Sequence, residues 1–183
     1  MKRFFDFIFS FFGILFLWPI MLILYIVGIF DTGSPIFKQK RVGKDKKSFT
    51  LYKFRTMNVK TKSVATHLAD GSQITKFGSF LRKSKLDELP QLFNVLLGDM
   101  SIVGPRPNLF NQNELIEERD KRGIYSVVPG ITGLAQINKI DMSTPEKLAK
   151  KDAEMLQNLT IINYFKYIFA TLKGEGQGDQ IKK

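Results

Sequence analysis

The feature that most constrains this fold is an uncharged run of about 24 residues, from Phe7 to Phe30. A helix needs roughly 20 residues to span the hydrocarbon core of a bilayer, so the run is long enough. About 17 of its residues are Phe, Ile, Leu or Val, which favours membrane insertion by roughly 5 to 10 kcal/mol. The run therefore predicts an N-terminal membrane helix. It is too long for a cleaved signal peptide, and no small-x-small site follows it.

Two features of this run indicate a helix that enters the membrane and returns without crossing it. Pro19 lies near its middle, where the missing N–H and the ring clash kink or break a helix, and Trp18 beside it prefers a membrane interface. Basic residues flank both ends, and the positive-inside rule would hold both ends on the cytoplasmic face: Lys2, Arg3, Lys38, Lys40, Arg41 and Lys44. We therefore predict a re-entrant, helix–break–helix segment. A proline-kinked spanning helix is the alternative.

The charge of the chain points to an anionic partner. The 183 residues suffice for one domain with its own core, and the formal net charge is +11 with a pI near 9.8. Such a surplus suits nucleic acid, a membrane surface or a phosphorylated substrate. The absence of cysteine excludes disulfides and thiol chemistry.

The predicted fold class is α+β, mainly helical, with a small β-hairpin behind the re-entrant segment. We place that segment at 1–31, a folded domain at 32–173 and a disordered tail at 174–183. The hairpin strands are predicted at 35–42 and 48–57, and helices at 76–84, 90–97, 111–122 and 144–158. The helix at 111–122 is expected to be mostly solvated. A last helix at 159–173 either lies on a membrane surface or packs on the core. His67, in the polar loop 58–75, is assigned no role.

Asp87 and Glu88 are the first candidates for chemistry, because they form an adjacent acidic pair within a basic stretch, Arg82 to Leu92. A carboxylate flanked by cations stays ionised, and the same cations can hold a phosphate. One carboxylate can attack phosphorus while the other holds a divalent cation. The alternative is structural, since Ser84 to Asp87 matches a helix-capping box. Pro90 argues against it, because proline suits the first turn of a helix that starts there instead.

Three further stretches carry features of a phosphate site. Lys53 and Arg55 fall on one face of the second hairpin strand by its period-2 alternation. Gly104-Pro-Arg-Pro107 is a stiff loop that fixes where the Arg106 guanidinium points, and arginine suits bidentate phosphate contact. The glycines of 129–136 permit close backbone approach to a ligand. Each feature alone is equally consistent with a solvated strand face or a plain turn.

Together these stretches resemble the signature blocks of the bacterial sugar transferases, the small monotopic polyprenyl-phosphate phosphoglycosyl transferases. The blocks occur in the family's order: Lys53-Phe-Arg-Thr-Met57, Leu86-Asp-Glu-Leu-Pro-Gln-Leu-Phe-Asn94, Gly98-Asp-Met-Ser101, Gly104-Pro-Arg-Pro107 and Pro129-Gly-Ile-Thr-Gly-Leu-Ala-Gln136. The resemblance runs from about Lys2 to Asn158.

The resemblance implies a definite reaction. A UDP-sugar would give its sugar-1-phosphate to polyprenyl (undecaprenyl) phosphate, releasing UMP, as the first membrane step of glycoconjugate synthesis. Asp87 would be the nucleophile, forming an aspartyl-phosphosugar intermediate, and Glu88 would bind Mg²⁺. The phosphate- and nucleotide-binding residues would be Lys53, Arg55, Arg82 and Arg106.

The resemblance also implies a location. Asp6 and Pro19 match the acidic residue and the proline of the family's re-entrant helix, so Pro19 would mark the membrane break. The domain at 32–173 would be the catalytic domain, seated on the cytoplasmic face of the bacterial inner membrane. Its partners would be the UDP-sugar, polyprenyl phosphate, anionic lipid and downstream glycosyltransferases, and no nucleic acid.

The chain departs from the family pattern at two places. Trp18 stands where many relatives carry a polar residue before the proline. Lys139-Ile140 stands where relatives often carry Gly-Arg, a position connected with sugar recognition. A rival hypothesis is a membrane-anchored basic module that binds anionic lipid or nucleic acid without catalysis.

Overall fold

The computed structural model describes residues 2–61 and 70–175, so His67 and most of the predicted tail lie outside it. Helices and short strands alternate along the described chain: α1 (Lys2–Thr32), β1 (Ile36–Val42), β2 (Ser48–Phe54), α2 (Lys76–Ser84), α3 (Gln91–Leu97), β3 (Ser101–Val103), α4 (Asn113–Asp120), β4 (Gly130–Thr132), α5 (Leu134–Ile137), α6 (Pro145–Gln157) and α7 (Ile161–Leu172). The predicted mainly helical architecture with a small hairpin is confirmed.

Strands β1 and β2 form the predicted antiparallel hairpin, with Ile36 opposite Phe54 and Val42 opposite Ser48. A 3₁₀ turn at Lys44–Lys46 joins them. The second strand ends at Phe54 rather than at the predicted Met57. Its partner strand begins after Pro35, which has no N–H to extend the ladder.

A second, parallel pair of strands was not predicted from the sequence. Ser101 pairs with Gly130 and Val103 with Thr132, which joins β3 to β4. Each strand has only three residues, too few to show an alternating pattern. This pair brings the segment after Val103 next to the glycine-rich segment that begins at Pro129.

Helix α1 is continuous, so the structure does not show the predicted break. Pro19 lies inside it, and the helix runs from Lys2 to Thr32 without a second segment. Proline removes one backbone hydrogen bond, so it can bend a helix that continues beyond it. By length and composition α1 can cross a membrane, and most of it is exposed.

Helix α1 nevertheless contacts the folded domain at both ends and in the middle. Near its start, Asp6 Oδ1 accepts hydrogen bonds from Ser101 Oγ (2.9 Å), Ile102 N (2.8 Å) and Tyr164 Oη (2.8 Å). Burial and the Asp6 carboxylate raise the pKa of Tyr164, which keeps its phenol a donor. The middle of α1 packs Gly13 against Leu92.

The far end of α1 rests on the same domain. Leu24 joins a buried cluster with Phe54 and Leu81. Thr75 Oγ1 donates to Asp31 Oδ2 over 2.7 Å. Both ends of α1 are therefore fixed to one folded unit.

The core of that unit lies on both sides of β3. One cluster joins the hairpin to α3 and β3, and a second joins β3 to α6 and α7 through Met155, Tyr164 and Tyr167. In α7 these tyrosines are buried, whereas Ile162 and Phe169 are exposed. The last helix therefore packs on the core with one face and leaves an apolar stripe uncovered.

Candidate active site

The acidic pair lies on a single 3₁₀ turn, Leu86–Glu88, between α2 and α3. Lys85 begins this turn in the left-handed region (φ 58°) and also ends α2. Successive residues of a 3₁₀ turn point about 120° apart, so the two carboxylates face different surroundings. Asp87 is only 4 % exposed. The turn therefore aims both acids into the protein, in two directions.

The capping-box alternative does not hold for this pair. Ser84 Oγ donates backward to Phe80 O (2.9 Å) and Leu81 O (3.1 Å). The turn at Leu86–Glu88 has no side-chain cap, and α3 starts after Pro90, as predicted. The carboxylates are therefore not explained by helix capping.

Two cations converge on Glu88. Lys53 Nζ lies 3.0 Å from Glu88 Oε1, and Arg106 Nη2 lies 3.1 Å from the same oxygen. The Lys53 side chain is buried, whereas those of Glu88 and Arg106 are 12 % and 23 % exposed. We call Lys53, Glu88 and Arg106 the Glu88 cluster. It carries one negative and two positive charges. Its acid, Glu88, directly follows Asp87 in the chain.

Arg41 belongs to the same region, which the sequence did not indicate. It is buried, and a narrow cavity is lined by Arg41, Leu51, Lys53, Gln91, Arg106, Pro107 and Gly130. Arg41 is one of the basic residues that flank the apolar run, and β1 turns its side chain inward. The cavity wall thus holds three cations from different parts of the chain.

The structure separates Arg55 from this cluster. Arg55 Nε donates to Ser34 O (2.8 Å), and its guanidinium lies 5.5 Å from the centre of the Phe37 ring. Partial burial lowers the pKa of Arg55 from its usual value. Arg82 lies on α2, where its Nε donates to Thr56 Oγ1 (2.8 Å). This bond places the Arg82 side chain next to the residues that follow β2, the strand that contains Lys53.

Close backbone contact brings the Arg106 loop, Gly104–Asn108, against the glycine-rich segment. A Cβ on Gly130 would lie 2.0 Å from Gly104 N, so only glycine fits there. Gly130 N donates to Pro105 O (2.9 Å), and Gly104 N donates to Thr132 O (2.8 Å). Gly130 therefore allows the close backbone packing that positions the Arg106 loop.

The site offers few carboxylates to a metal ion. Among residues 2–61 and 70–175, no three His, Cys, Asp or Glu side chains form a metal-binding group. Mg²⁺ is commonly bound by one or two carboxylates together with water and substrate phosphates. Asp87 and Glu88 fit such a shared site, but not a site made by protein alone.

The structure places the residues at which the chain departs from the family pattern. Lys139 follows the C-cap residue of α5 and adopts φ 59°, a conformation that favours glycine. Ile140 packs on the buried cluster of Leu115, Ala135 and Leu148. Trp18 lines an apolar groove of about 560 Å³ between α1, the hairpin and α3.

Comparison with known proteins identifies the family. The model of the bacterial sugar transferase family matches residues 1–176. The chain is 41 % identical over 174 residues to the uncharacterized sugar transferase EpsL of Bacillus subtilis (strain 168), covering 94 % of this chain and 86 % of EpsL.

Two relatives with more specific names are longer. The UDP-glucose:undecaprenyl-phosphate glucose-1-phosphate transferase of Escherichia coli (strain K12) is 41 % identical over 80 % of this chain and 33 % of its own length. The undecaprenyl-phosphate galactose phosphotransferase of Salmonella typhimurium (strain LT2) is 36 % identical over 94 % of this chain and 40 % of its own length. This chain thus spans well under half of these two proteins. The family match covers nearly the whole of the present sequence, acidic pair and Arg106 loop included, and the chain belongs to the bacterial sugar transferase family.

Proposed function

We propose that this protein transfers sugar-1-phosphate from a UDP-sugar to polyprenyl phosphate, releasing UMP. The observation that carries the proposal is the Glu88 cluster, where two cations converge on one carboxylate next to a buried aspartate. With Arg41, which lines the same cavity, the site has three cations against two carboxylates and so has positive charge to offer an incoming diphosphate. The names of the two longer relatives support undecaprenyl phosphate as the acceptor.

The reaction takes two displacements at phosphorus. In the first, an Asp87 carboxylate oxygen attacks the sugar-bearing phosphorus of the UDP-sugar, and the bond to the bridging oxygen breaks, so UMP leaves with that oxygen. In the second, a phosphate oxygen of the polyprenyl phosphate attacks the aspartyl phosphorus and frees the carboxylate. A covalent intermediate lets one site handle a soluble and a lipid substrate in turn.

The cations of the cluster have a clear part in this scheme. Lys53 and Arg106 hold Glu88 without substrate, and the diphosphate of an arriving substrate offers them several further charged acceptor oxygens. Arg106 is the most exposed member, so its guanidinium is the first to meet the diphosphate. Moving these cations to the phosphate leaves Glu88 available for Mg²⁺. The ion would supply neutralisation of the diphosphate charge, and Glu88, with Asp87 nearby, would hold it.

We also propose that α1 is re-entrant, with both ends at the cytoplasmic face. A 31-residue helix is about 46 Å long, enough to cross a bilayer. Yet Asp6 near one end and Asp31 near the other bind the same folded domain. A spanning path would draw that domain, with its charged residues, into the hydrocarbon core. A path that bends at Pro19 and returns keeps the domain outside.

A membrane-seated domain suits the proposed acceptor, because a polyprenyl phosphate keeps its phosphate at the interface. The uncovered apolar stripe of α7 and the exposed face of α1 offer surface to lipid. A binding module without catalysis is less well supported, because Arg41 and Lys53 are buried in the cavity wall rather than on an open basic surface.

The test is UMP release by the purified protein with Mg²⁺, polyprenyl phosphate and a panel of UDP-sugars. We expect multiple-turnover release with at least one sugar, dependent on both acceptor and Mg²⁺; without acceptor, release should stop at about one UMP per enzyme. No release with any sugar would count against the proposal. The panel also identifies the sugar. Its first members are the UDP forms of glucose and galactose, the sugars named for the two longer relatives.

The topology is tested separately. The chain has no cysteine, so single cysteines can be placed at Lys2 and Asp45 and labelled in intact cells. Equal protection of both from an impermeant reagent is expected. Labelling of only one would show a spanning helix.

A further inference from the structure

The backbone of the Arg106 loop is held at every carbonyl. Gln136 Nε2 donates to Gly104 O (3.5 Å), and Gly130 N donates to Pro105 O (2.9 Å). Arg41 Nη1 donates to Pro107 O (3.1 Å), and Val42 N donates to Asn108 O (2.9 Å). The remaining carbonyl, that of Arg106 itself, accepts from Arg119 Nη1 over 2.8 Å.

Arg119 is buried within this arrangement. It is 1 % exposed, although it lies in a charged stretch of α4 that we expected to be solvated. Its Nη1 also donates to Asn108 Oδ1 (2.9 Å), an oxygen that Tyr125 Oη reaches as well (3.1 Å). One guanidinium therefore binds the loop at both Arg106 and Asn108.

Asp152 on α6 holds that guanidinium in place. Arg119 Nε and Nη2 lie 3.0 and 2.7 Å from Asp152 Oδ2, and Asp152 is fully buried. Within the described parts of the chain, Asp152 Oδ1 has no hydrogen-bond partner. The carboxylate thus makes its hydrogen bonds to Arg119 alone.

We propose that Arg119 and Asp152 are positioning residues for Arg106. The inference rests on the proposed function, since it assigns Arg106 to the substrate phosphate. Pro105 and Pro107 restrict the backbone dihedral angles of the loop, and the bond from Arg119 fixes Arg106 between them. The Arg106 guanidinium can then move between Glu88 and phosphate while its Cα stays in place.

Arg119→Lys is the first variant, because it keeps a positive charge opposite Asp152. An ammonium lacks the flat, forked set of donors, so it cannot bind Asp152 and the loop in the same geometry. We expect kcat to fall about 10- to 100-fold with a smaller change in KM for the UDP-sugar, as is usual for small misplacements. The matched control is Arg122→Lys on the next turn, whose partner Glu118 is near the surface. It should leave kcat unchanged.

A double-mutant cycle separates positioning from a general loss of structure. In an Arg106→Ala background, Arg119→Lys should lower kcat less than about twofold further, because the residue it positions is gone. Its effect on unfolding should be the same in both backgrounds. If instead Arg119→Lys lowers kcat equally with and without Arg106, or leaves kcat unchanged in the wild-type background, the inference is wrong.

Hydrogen exchange provides a readout that does not require turnover. Amide exchange in a peptide covering 101–109 should speed up in Arg119→Lys and not in Arg122→Lys. Unchanged exchange would overturn the role of Arg119 in holding the loop. A wild-type protein without UMP release would count against the proposed function, while the exchange result would still report on the loop.

Discussion

Two buried charge clusters meet at Arg106, and they differ in balance. The Glu88 cluster has one acid and two cations and is partly open to solvent. The Arg119–Asp152 pair has one charge of each sign and is closed. The Arg106 side chain belongs to the first cluster, and its carbonyl is bound by the second.

The difference indicates how the fold divides its tasks. A cluster with surplus positive charge that is partly open to solvent through Arg106 can exchange its internal carboxylate for a phosphate. The neutral, closed Arg119–Asp152 pair has no partner to exchange, so its role is to hold the Arg106 loop in position. Substitutions in the first cluster should therefore affect activity, and those in the second should affect stability and positioning.

The largest effect is expected from Asp87→Asn, which removes the proposed nucleophile but keeps its shape. UMP release should fall about 10³-fold or more, in the range found when a nucleophile is removed. The assay is the Mg²⁺-dependent release with the preferred UDP-sugar. The control is Asp120→Asn, an exposed aspartate paired with Lys46, which should leave the rate unchanged. Full turnover by Asp87→Asn would remove Asp87 from the mechanism.

The balanced pair is tested next by Asp152→Asn. Removing one partner of a buried ion pair typically costs about 3 to 5 kcal/mol of stability, because the other charge stays buried. We expect a loss of that size in chemical unfolding of the detergent-solubilised protein. Glu154→Gln on the same helix, whose partner Lys151 is near the surface, should change it by less than about 1 kcal/mol. If both variants lowered the free energy of unfolding equally, the buried pair would contribute no more to stability than the exposed pair.

Glu88→Gln tests the surplus-charge cluster. The variant removes the negative charge that we assign to Mg²⁺, so the Mg²⁺ concentration for half-maximal activity should rise about 10- to 100-fold. Glu118→Gln is a close control, because Glu118 also binds two cations but at the surface. A Mg²⁺ dependence identical to that of the wild type would exclude Glu88 as a ligand.

The smallest effect concerns Lys139, which lies apart from both clusters. Its left-handed conformation should cost about 1 kcal/mol relative to glycine, so Lys139→Gly should stabilise the fold by about that amount. Gly123→Ala gives the mirror test, since Gly123 has φ 67° and no steric neighbour. It should destabilise the protein by a similar amount. Neither substitution should change the rate of UMP release. A loss of activity in Lys139→Gly would instead indicate that Lys139 contributes to substrate binding.

Much of the fold was predictable because local signals mark it. Gly98 ends α3 in the left-handed region, and Pro145 begins α6. The hairpin strands were identified as two segments that flank a charged turn around Gly43. Asp87, Glu88, Lys53 and Arg106 were found as candidates through their motifs, and the structure brings the last three into contact.

The buried polar residues could not be predicted, because nothing local distinguishes them from solvated ones. Lys38 and Lys40 are exposed while Gln39 and Arg41 are buried, so β1 has polar residues on both faces and no hydrophobic alternation. Arg119 follows two glutamates in α4, and its partner Asp152 lies 33 residues away. Such pairs depend on how helices pack, which neither helix alone specifies.

The central claim is that Asp87 becomes covalently bound to sugar phosphate. The most direct measurement is to mix the enzyme with UDP-sugar and Mg²⁺ without acceptor, quantify UMP, and map the modified peptide by mass spectrometry. We predict a burst of one UMP per active enzyme and a sugar-phosphate adduct on Asp87, which polyprenyl phosphate then removes. UMP formed only in the presence of acceptor, with no adduct at Asp87, would contradict the account.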